Sequence, residues 1–424
     1  MGFPDGFLWG ASTSSYQVEG GNDNSAFVDW ERRRRWQPCG TAADSWNRWR
    51  EDLACLKELG ANTYRFSVEW SRVQPTPMEF DESALERYAE MARAFKEAGI
   101  RPIICLHHFS EPAWLFERWP RGWMESGPAD AFIQFADRVI RACRNDVSDW
   151  ISFNEPMVWL LNAYALGHFP PGFHKIVTLE RTFVQGGLIE HVLRAHREVH
   201  RMVHADIKGA RVGIAQNVVD LEPARQGAAD LEALGRWDHF MHRHMLDLAN
   251  SAQTLDFIGL NYYTRIYVAK AWIPFFPLGV VPAYAELKQI VGELGMKLLG
   301  GRVGNRVRTD MDWEIVPEGL GRVALSLSKR YQLPILVTEN GLADTSGNGR
   351  EAFLKSHLSS LQSAIDDGAH VTGYLHWSLL DNFEWGSYRP RFGLYRVDRT
   401  NGFKRTKSSG ADYFKKVIKN GAVP

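Results

Sequence analysis

The sequence predicts an α/β fold in which a single (β/α)8 TIM barrel spans residues 1–424. Two observations support this prediction: eight short apolar runs are spread over the chain, and amphipathic helical stretches lie between them. Such runs are typical of parallel strands that are covered on both faces. The candidate strands are residues 7–12, 62–70, 101–109, 150–154, 211–218, 256–263, 335–339 and 370–377. A barrel of this kind carries its reactive groups at the C-terminal ends of the strands.

The stretches between the strands repeat apolar residues at helical spacing. The first of them places Trp46, Trp49, Leu53 and Leu56 on one face, and Gly60 follows as a stop signal. Two later stretches repeat the pattern with Leu85, Tyr88, Ala92 and Phe95 before Gly99, and with Phe132, Phe135, Val139 and Cys143. An open doubly wound sheet is the alternative, but no glycine-rich dinucleotide fingerprint follows the first strand.

The composition narrows the class of protein. Apolar residues make up 45% of the chain, enough for a large core, and the formal net charge is zero, so neither nucleic acid nor an anionic membrane is expected as a partner. Sixteen Trp residues suit either a large core or a surface that stacks on sugars. The N-terminus lacks the features of a signal peptide, and the four cysteines form no CxxC motif, which favours a reducing, cytoplasmic location.

The longest stretch without clear periodicity is residues 265–308. It contains an apolar segment, residues 272–278. In a barrel this stretch is the loop after the sixth strand, on the catalytic rim. The sequence leaves open whether the segment shapes the mouth of a pocket or packs down as a cover.

Two candidate strands end in a carboxylate. Glu155 follows the fourth strand and Glu339 ends the seventh, and each has a neighbouring Asn. The fourth and seventh strands lie on roughly opposite sides of a barrel mouth, so the two carboxylates can face each other. Two opposed carboxylates are the machinery of glycoside hydrolysis, in which their separation distinguishes retention from inversion.

Six motifs in fixed order extend this observation over most of the chain. They are residues 16–20 (YQVEG), 64–72 (YRFSVEWSR), 154–156 (NEP), 261–264 (NYYT), 338–341 (TENG) and 381–385 (DNFEW). With FLWG at residues 7–10 and RFGL at residues 391–394, the chain resembles glycoside hydrolase family 1, the β-glucosidase family. The resemblance implies a retaining exo-β-glycosidase that acts on small β-linked sugars or glycosides without a cofactor.

The resemblance also implies catalytic roles. Glu155 matches the acid/base and Glu339 the nucleophile of the family. Arg65 and Tyr263 match residues that hold the nucleophile ionised, and Asn261 belongs to the same catalytic group. A negative Glu339 is expected to raise the pKa of Glu155 by like-charge repulsion.

Further positions match the sugar-binding residues of the family. The hydrogen-bonding set is Gln17, His108, Asn154 and Glu384, and the aromatic set is Phe109, Trp377, Trp385 and Phe392. Asn154 is expected to bind the sugar 2-hydroxyl, and Trp377 to form the stacking floor. An acid at Glu384 disfavours the phospho-sugar branch of the family, because a carboxylate repels phosphate.

Some positions depart from the family pattern. Phe109 replaces the usual Trp and lacks its indole N–H. Met157 replaces a Trp that faces the leaving group in the family, which leaves the aglycone preference open. The basic run of residues 32–35 is expected to be a solvated face.

Histidine clusters raise the hypothesis of a metal site. His196, His200 and His204 share one helical face, but no carboxylate or Cys is evidently placed to complete a zinc set, so no metal is expected. A second cluster, His239, His242 and His244, is interpreted as a polar helix surface.

Three other functions compete with that of a β-glucosidase that also accepts galactosides or fucosides. A 6-phospho-β-glycosidase is the nearest alternative. A catalytically inactive sugar-binding protein on the same scaffold usually lacks one of the two glutamates, and both are present. An aldolase barrel needs a Schiff-base Lys at a strand end, and the candidate strands contain none. The sequence does not fix the oligomeric state, and a homo-oligomer remains compatible with it.

Overall fold

The fold is a closed barrel of parallel strands. The structure is a computed structural model that describes residues 2–272, 277–283, 304 and 306–424. Within this described part, eight parallel strands close into one barrel and pair in sequence order, the eighth pairing with the first. They are Leu8–Ser12, Thr63–Ser67, Arg101–His107, Asp149–Asn154, Arg211–Asn217, Phe257–Asn261, Ile335–Asn340 and Val371–Trp377. All eight candidate strands are therefore confirmed, and so is the (β/α)8 class.

One strand is shorter than its sequence pattern indicates. The second candidate strand was expected to continue to Trp70, but the strand ends at Ser67. Glu69 is the reason, since its carboxylate accepts from the backbone N–H of Ser71 at 3.4 Å and caps the short helix Trp70–Val73.

Helices cover the outside of the barrel. The α-helices are Ser15–Val18, Ala26–Arg34, Ser45–Leu59, Trp70–Val73, Glu82–Glu97, Ala113–Arg118, Gly127–Cys143, Pro156–Leu160, Leu188–Asp206, Ala228–Asp238, His244–Ser251, Pro317–Tyr331, Arg350–Asp366 and Ser409–Asn420. Short 3-10 turns are Gly122–Met124, Ile176–Thr178 and Pro277–Gly279, and π-helical turns are Leu161–Ala165, Arg181–Gln185 and His239–Arg243.

The helical periodicities found in the sequence are confirmed. Helix Ser45–Leu59 ends at Gly60, which takes a left-handed conformation with φ 74°. Helix Gly127–Cys143 buries the predicted stripe of Phe132, Phe135, Val139 and Cys143. These apolar faces join one continuous core between the helices and the strands. Among the described residues, no helix has the length and apolar character needed to cross a bilayer. Each of the four cysteines is buried and free.

The barrel interior is filled rather than open. A separate apolar cluster lies within it, formed by Ile103, Cys105, Ile151, Ala215, Phe257, Leu336 and Leu375. At the N-terminal end the buried Asp149 is paired with Arg101 and, at 2.7 Å, with Arg211. Packing and this ion cluster close the bottom of the barrel, so the space for a ligand lies at the other end.

A small sheet decorates the C-terminal rim. Strands Asp220–Pro223, Arg265–Lys270 and Val280–Pro282 pair beside the ends of the fifth and sixth barrel strands. The start of the stretch expected to be irregular, residues 265–308, is therefore regular strand. Residues 273–276 of the apolar segment, and residues 284–303 and 305, lie outside the described residues. A second small sheet pairs Tyr395–Asp398 with Lys404–Lys407.

The glycine after the seventh barrel strand is required by close packing. A Cβ on Gly341 would lie 1.8 Å from the carbonyl oxygen of Trp377 at the end of the eighth strand. Only a residue without a side chain lets the two strand ends approach this closely.

We expect Gly341→Ala to lower the free energy of unfolding by about 1–3 kcal/mol or more, because the added methyl group forces the strand ends apart. Gly235→Ala is the matched control, since this helical glycine has open space around its Cβ. It should raise stability by about 0.5–1 kcal/mol through helix propensity. Urea unfolding monitored by Trp fluorescence measures both changes. Equal effects of the two substitutions would contradict the packing argument.

Candidate active site

The two strand-end carboxylates lie in one cavity. Glu155 directly follows the fourth barrel strand in a left-handed conformation, φ 43°, and Glu339 lies near the end of the seventh. Their residues are only 6% and 3% exposed. Both line a cavity of about 440 Å³ at the C-terminal end of the barrel. The structure thus brings together the two glutamates that the sequence singles out.

Glu339 is held by one cation and one hydroxyl group. The guanidinium of Arg65, on the second strand, pairs with Oε1. The hydroxyl of Tyr263 donates to Oε2 at 2.7 Å. Arg65 is completely buried, so its charge needs the ion pair with Glu339.

Glu155 has neutral partners instead. Its Oε1 accepts from the side-chain amides of Asn261 at 2.8 Å and Asn217 at 3.1 Å. Burial, reinforced by the charge of Glu339, raises the pKa of Glu155 to about 8 although these two bonds oppose the rise. One carboxyl group is therefore kept protonated at neutral pH beside another that is ion-paired.

An amide network joins the two carboxyl groups. Asn154 Oδ1 accepts from Arg65 at 2.6 Å and from Asn261 at 3.0 Å. Asn261 Oδ1 in turn accepts from the Thr338 hydroxyl at 2.6 Å. Because Asn261 also donates to Glu155, a continuous chain of bonds runs from Glu339 through Arg65 and Asn154 to Glu155.

The polar end of the cavity contains buried groups that lack partners. Gln17 donates to the Phe383 carbonyl at 2.9 Å, but its Oε1 is buried without a partner among the described residues. His108 Nε2 lies 3.2 Å from the Asn154 amide nitrogen, and within that same part of the chain its Nδ1 has no partner. Burial, with the Arg65 charge, lowers the pKa of His108 well below its usual value, so the ring is neutral. Since Nε2 must accept from the amide, Nδ1 carries the proton. Unpaired buried donors and acceptors of this kind indicate a polar ligand.

Glu384 and Trp377 form another part of the cavity wall. The indole N–H of Trp377 donates to Glu384 Oε1 at 3.2 Å. Burial raises the pKa of Glu384 to about 7; the bond from Trp377 opposes this rise and the charge of Glu339 adds to it.

The aromatic residues expected at the site also line this cavity. Trp385 stacks on Tyr16 at 5.9 Å and contacts Phe109 at 5.2 Å between ring centroids. Phe392 packs with Tyr263 and Trp377. Every sugar-binding residue expected from the sequence lines the cavity: Gln17, His108, Phe109, Asn154, Trp377, Glu384, Trp385 and Phe392.

The sequence interpretation missed several residues of the cavity. Asn217, a partner of Glu155, ends the fifth strand as Asn154 ends the fourth, and that position was the available signal. Trp36, Met311 and Trp313 also line the cavity, and they lie in segments without a strand or helix pattern that could have placed them.

The expectation for Met157 was wrong. Met157 is completely buried in the core and does not line the cavity. Helix Pro156–Leu160 begins immediately after Glu155. In this helix Val158, the residue after Met157, lines the cavity instead.

The expectation that no carboxylate accompanies the first histidine cluster was also wrong. Asp256, distant in sequence, precedes the sixth strand and lies 2.8 Å from His204 Nε2 and 3.7 Å from His200 Nε2. A carboxylate therefore does accompany these two residues, at the end of the barrel opposite the cavity. His196 is separate and buried, with Nδ1 2.8 Å from the Ser152 hydroxyl.

Of the other two surface expectations, one was partly wrong. In the second cluster, His242 is buried 3.0 Å from Asp238, so that cluster is only partly a helix surface. The basic run, residues 32–35, is exposed as expected.

Comparisons with known proteins agree with this geometry. A model of the family described as glycosyl hydrolase family 1 matches residues 1–252 and 247–422. The chain belongs to this family. It is a glycoside hydrolase of the β-glucosidase type.

Relatives cover its full length. β-Glucosidase A of Thermotoga maritima is 29% identical over 99% of this chain and 98% of its own length. A β-glycosidase from Pyrococcus horikoshii superposes with a TM-score of 0.87 at 29% identity, covering 100% of this chain and 96% of its own. A T. maritima family 1 glycoside hydrolase complexed with a cyclophellitol analogue transition state mimic superposes with a TM-score of 0.86 at 27% identity, covering 100% and 99%.

The raised pKa of Glu155 has a consequence for stability. The native state keeps the proton up to about pH 8, whereas an ordinary glutamic acid ionises near 4.5. The contribution of Glu155 to stability is therefore full below pH 4.5 and is lost as the pH rises to 8. We expect Glu155→Gln to unfold like the parent near pH 4.5 and to be more stable by roughly 2–4 kcal/mol at pH 8.5.

Urea unfolding at the two pH values measures this difference. Glu58→Gln is a control of opposite sign, because the bond from Lys407 lowers the pKa of Glu58. That substitution should reduce stability at neutral pH and lose its effect as the pH falls. A Glu155→Gln variant that is less stable than the parent at pH 8.5 would contradict the electrostatic argument.

Proposed function

We propose that this family 1 glycoside hydrolase is a retaining exo-β-glycosidase that removes a terminal sugar, preferably glucose, by double displacement. The observation that carries the proposal is the pairing of Glu339 with Arg65 in the same cavity as a Glu155 whose pKa is raised to about 8. An ion-paired carboxylate suits a nucleophile, and a carboxyl group that keeps its proton at neutral pH suits a general acid.

In the first step, a carboxylate oxygen of Glu339 attacks the anomeric carbon of the β-glycoside. The bond from that carbon to the leaving oxygen breaks, and Glu155 gives its proton to this oxygen. The product is a glycosyl ester on Glu339 with inverted configuration. Arg65 and Tyr263 contact the two oxygens of the attacking carboxylate and so orient it.

In the second step, the ester removes the charge of Glu339, and the pKa of Glu155 falls. Glu155 then takes a proton from water, the water oxygen attacks the anomeric carbon, and the ester bond breaks. Configuration inverts again, so the sugar leaves as the β-anomer with Glu339 ionised and Glu155 protonated. The same carboxyl group serves as acid and then as base.

The polar end of the cavity favours one terminal, unphosphorylated sugar. Gln17, His108 and Trp377 are at most 4% exposed, so the cavity is closed at this end and a further sugar unit cannot extend past them. Gln17 Oε1 and His108 Nδ1 offer unpaired groups to sugar hydroxyls. An acidic Glu384 disfavours a 6-phosphate. The relatives named β-glucosidase support glucose as the preferred sugar.

The four cysteines are buried and free, which supports a reducing compartment such as the cytoplasm as the location of the protein.

The two glutamates can be distinguished by azide rescue. With 2,4-dinitrophenyl β-glucoside, Glu339→Gly should lose roughly 10⁴-fold or more in kcat. Azide should restore turnover and give the α-glucosyl azide, because azide attacks the substrate directly. Glu155→Gly should give the β-glucosyl azide, because azide attacks the glycosyl ester. NMR of the products determines the anomer.

Hydrolysis of plain and 6-phosphorylated aryl β-glucosides, galactosides and fucosides by the parent enzyme completes this experiment. The plain glucoside should be hydrolysed with retention. Undiminished activity of Glu339→Gly, an α-sugar as first product, or turnover of the phosphorylated substrate alone would overturn the proposal.

The pH profile tests the role of Glu155 separately. For a substrate with a poor leaving group, kcat/KM should fall above about pH 8, tenfold per pH unit, as Glu155 loses its proton in the free enzyme. The 2,4-dinitrophenyl glycoside needs little proton transfer, so its alkaline decline should be much weaker. Equal declines for both substrates would show that another group is titrating.

A further inference from the structure

The cavity has a second, apolar half beside Glu155. Helix Pro156–Leu160 and the turn after it line this half, together with segments after the fifth and sixth barrel strands. The residues that form its walls include Val158, Leu161, Leu179, Val219, Met241 and Val280. Under the proposed function, on which this inference rests, Glu155 protonates the leaving oxygen. The leaving group therefore occupies this half.

The polar side chains in this half are largely engaged elsewhere. The Asn162 amide donates to the Val158 carbonyl at 2.9 Å, and the Thr264 hydroxyl donates to the Glu314 carbonyl at 2.9 Å. The half-buried His168 is the exception, because burial lowers the pKa of its ring and the neutral ring can still donate and accept a hydrogen bond. Within the described part of the chain, few groups remain to pair with the several hydroxyls of a second sugar.

Packing also fixes the positions of the wall residues. Leu179, Met241 and Val280 are at most 2% exposed although they face the cavity, because they pack into the protein on their other sides. The walls come from segments that are far apart in sequence, and one of the wall residues, Val280, lies in the rim sheet. This half is therefore a formed apolar surface, and a hydroxyl buried against it without a partner is strongly disfavoured.

We infer that the leaving-group site binds an apolar aglycone, such as the chain of an alkyl alcohol or the ring of an aryl alcohol, in preference to a second sugar. The substrate class is then β-glycosides of hydrophobic alcohols rather than β-linked oligosaccharides. Both substrate classes can carry the same terminal glucose. The preference between them therefore comes from apolar contact of the leaving group with this surface.

A chain-length series separates apolar binding from chemical reactivity. Butyl, hexyl and octyl β-glucosides have leaving groups of nearly equal acidity, so differences in kcat/KM report burial of methylene groups. We expect kcat/KM to rise about three- to fourfold per methylene until the chain reaches the end of the cavity. Cellobiose should be hydrolysed at least about tenfold less efficiently than octyl glucoside, measured below the critical micelle concentration.

Substitution of the wall locates the effect. Leu161→Asn, at a partly exposed position, and Val219→Thr should both reduce the slope of log kcat/KM against chain length. The slope is compared within each variant, so a general loss of activity does not affect it. Leu231→Asn, on the exposed face of helix Ala228–Asp238, is the matched control and should keep the parental slope.

β-Glucosyl fluoride, which has no aglycone to bind, distinguishes a failure of this inference from a failure of the proposed function. If the parent hydrolyses the fluoride but shows no chain-length slope, or prefers cellobiose to octyl glucoside, the inference is wrong and the proposed function stands. If the fluoride is not hydrolysed, the proposed function itself is wrong, and the inference falls with it.

Discussion

The buried ion pair between Arg65 and Glu339 is the interaction on which the site depends. Arg65 is completely buried in the barrel, where an unpaired guanidinium would be strongly disfavoured, and the carboxylate of Glu339 is its ion-pair partner. The charge fixed in this way contributes to the raised pKa of Glu155. One pair therefore ties the second strand to the seventh, and its carboxylate adds to the burial that keeps Glu155 protonated.

The polar half of the cavity gives up stability for binding. Gln17 Oε1 and His108 Nδ1 are buried without partners among the described residues, and Glu155 and Glu384 have pKa values well above that of an exposed glutamic acid. Each of these features disfavours the folded state without a ligand. They persist because the filled barrel below and the helices outside hold the strand ends in place.

The two halves of the cavity divide recognition between different forces. Directional hydrogen bonds near Trp377 and Glu384 suit a sugar, whose hydroxyls point in fixed directions. Apolar contacts near Val158 and Leu161 are non-directional, and their contribution to binding depends on the apolar area buried rather than on orientation. Glu155 lies between these halves, at the position where the proposed bond cleavage takes place.

The sequence by itself determined the barrel and the residues at its strand ends. Hydrophobic periodicity and turn residues are local properties, so the eight strands, and Glu155 and Glu339 at two of their ends, could be predicted from short segments. The sequence motifs identified Arg65, Tyr263 and Asn261 by resemblance, but not their contacts. Only the tertiary structure decided that Met157 is turned into the core, that Asn217 reaches Glu155 and that Asp256 joins His200 and His204. These outcomes depend on how distant segments pack against one another, which no local pattern encodes.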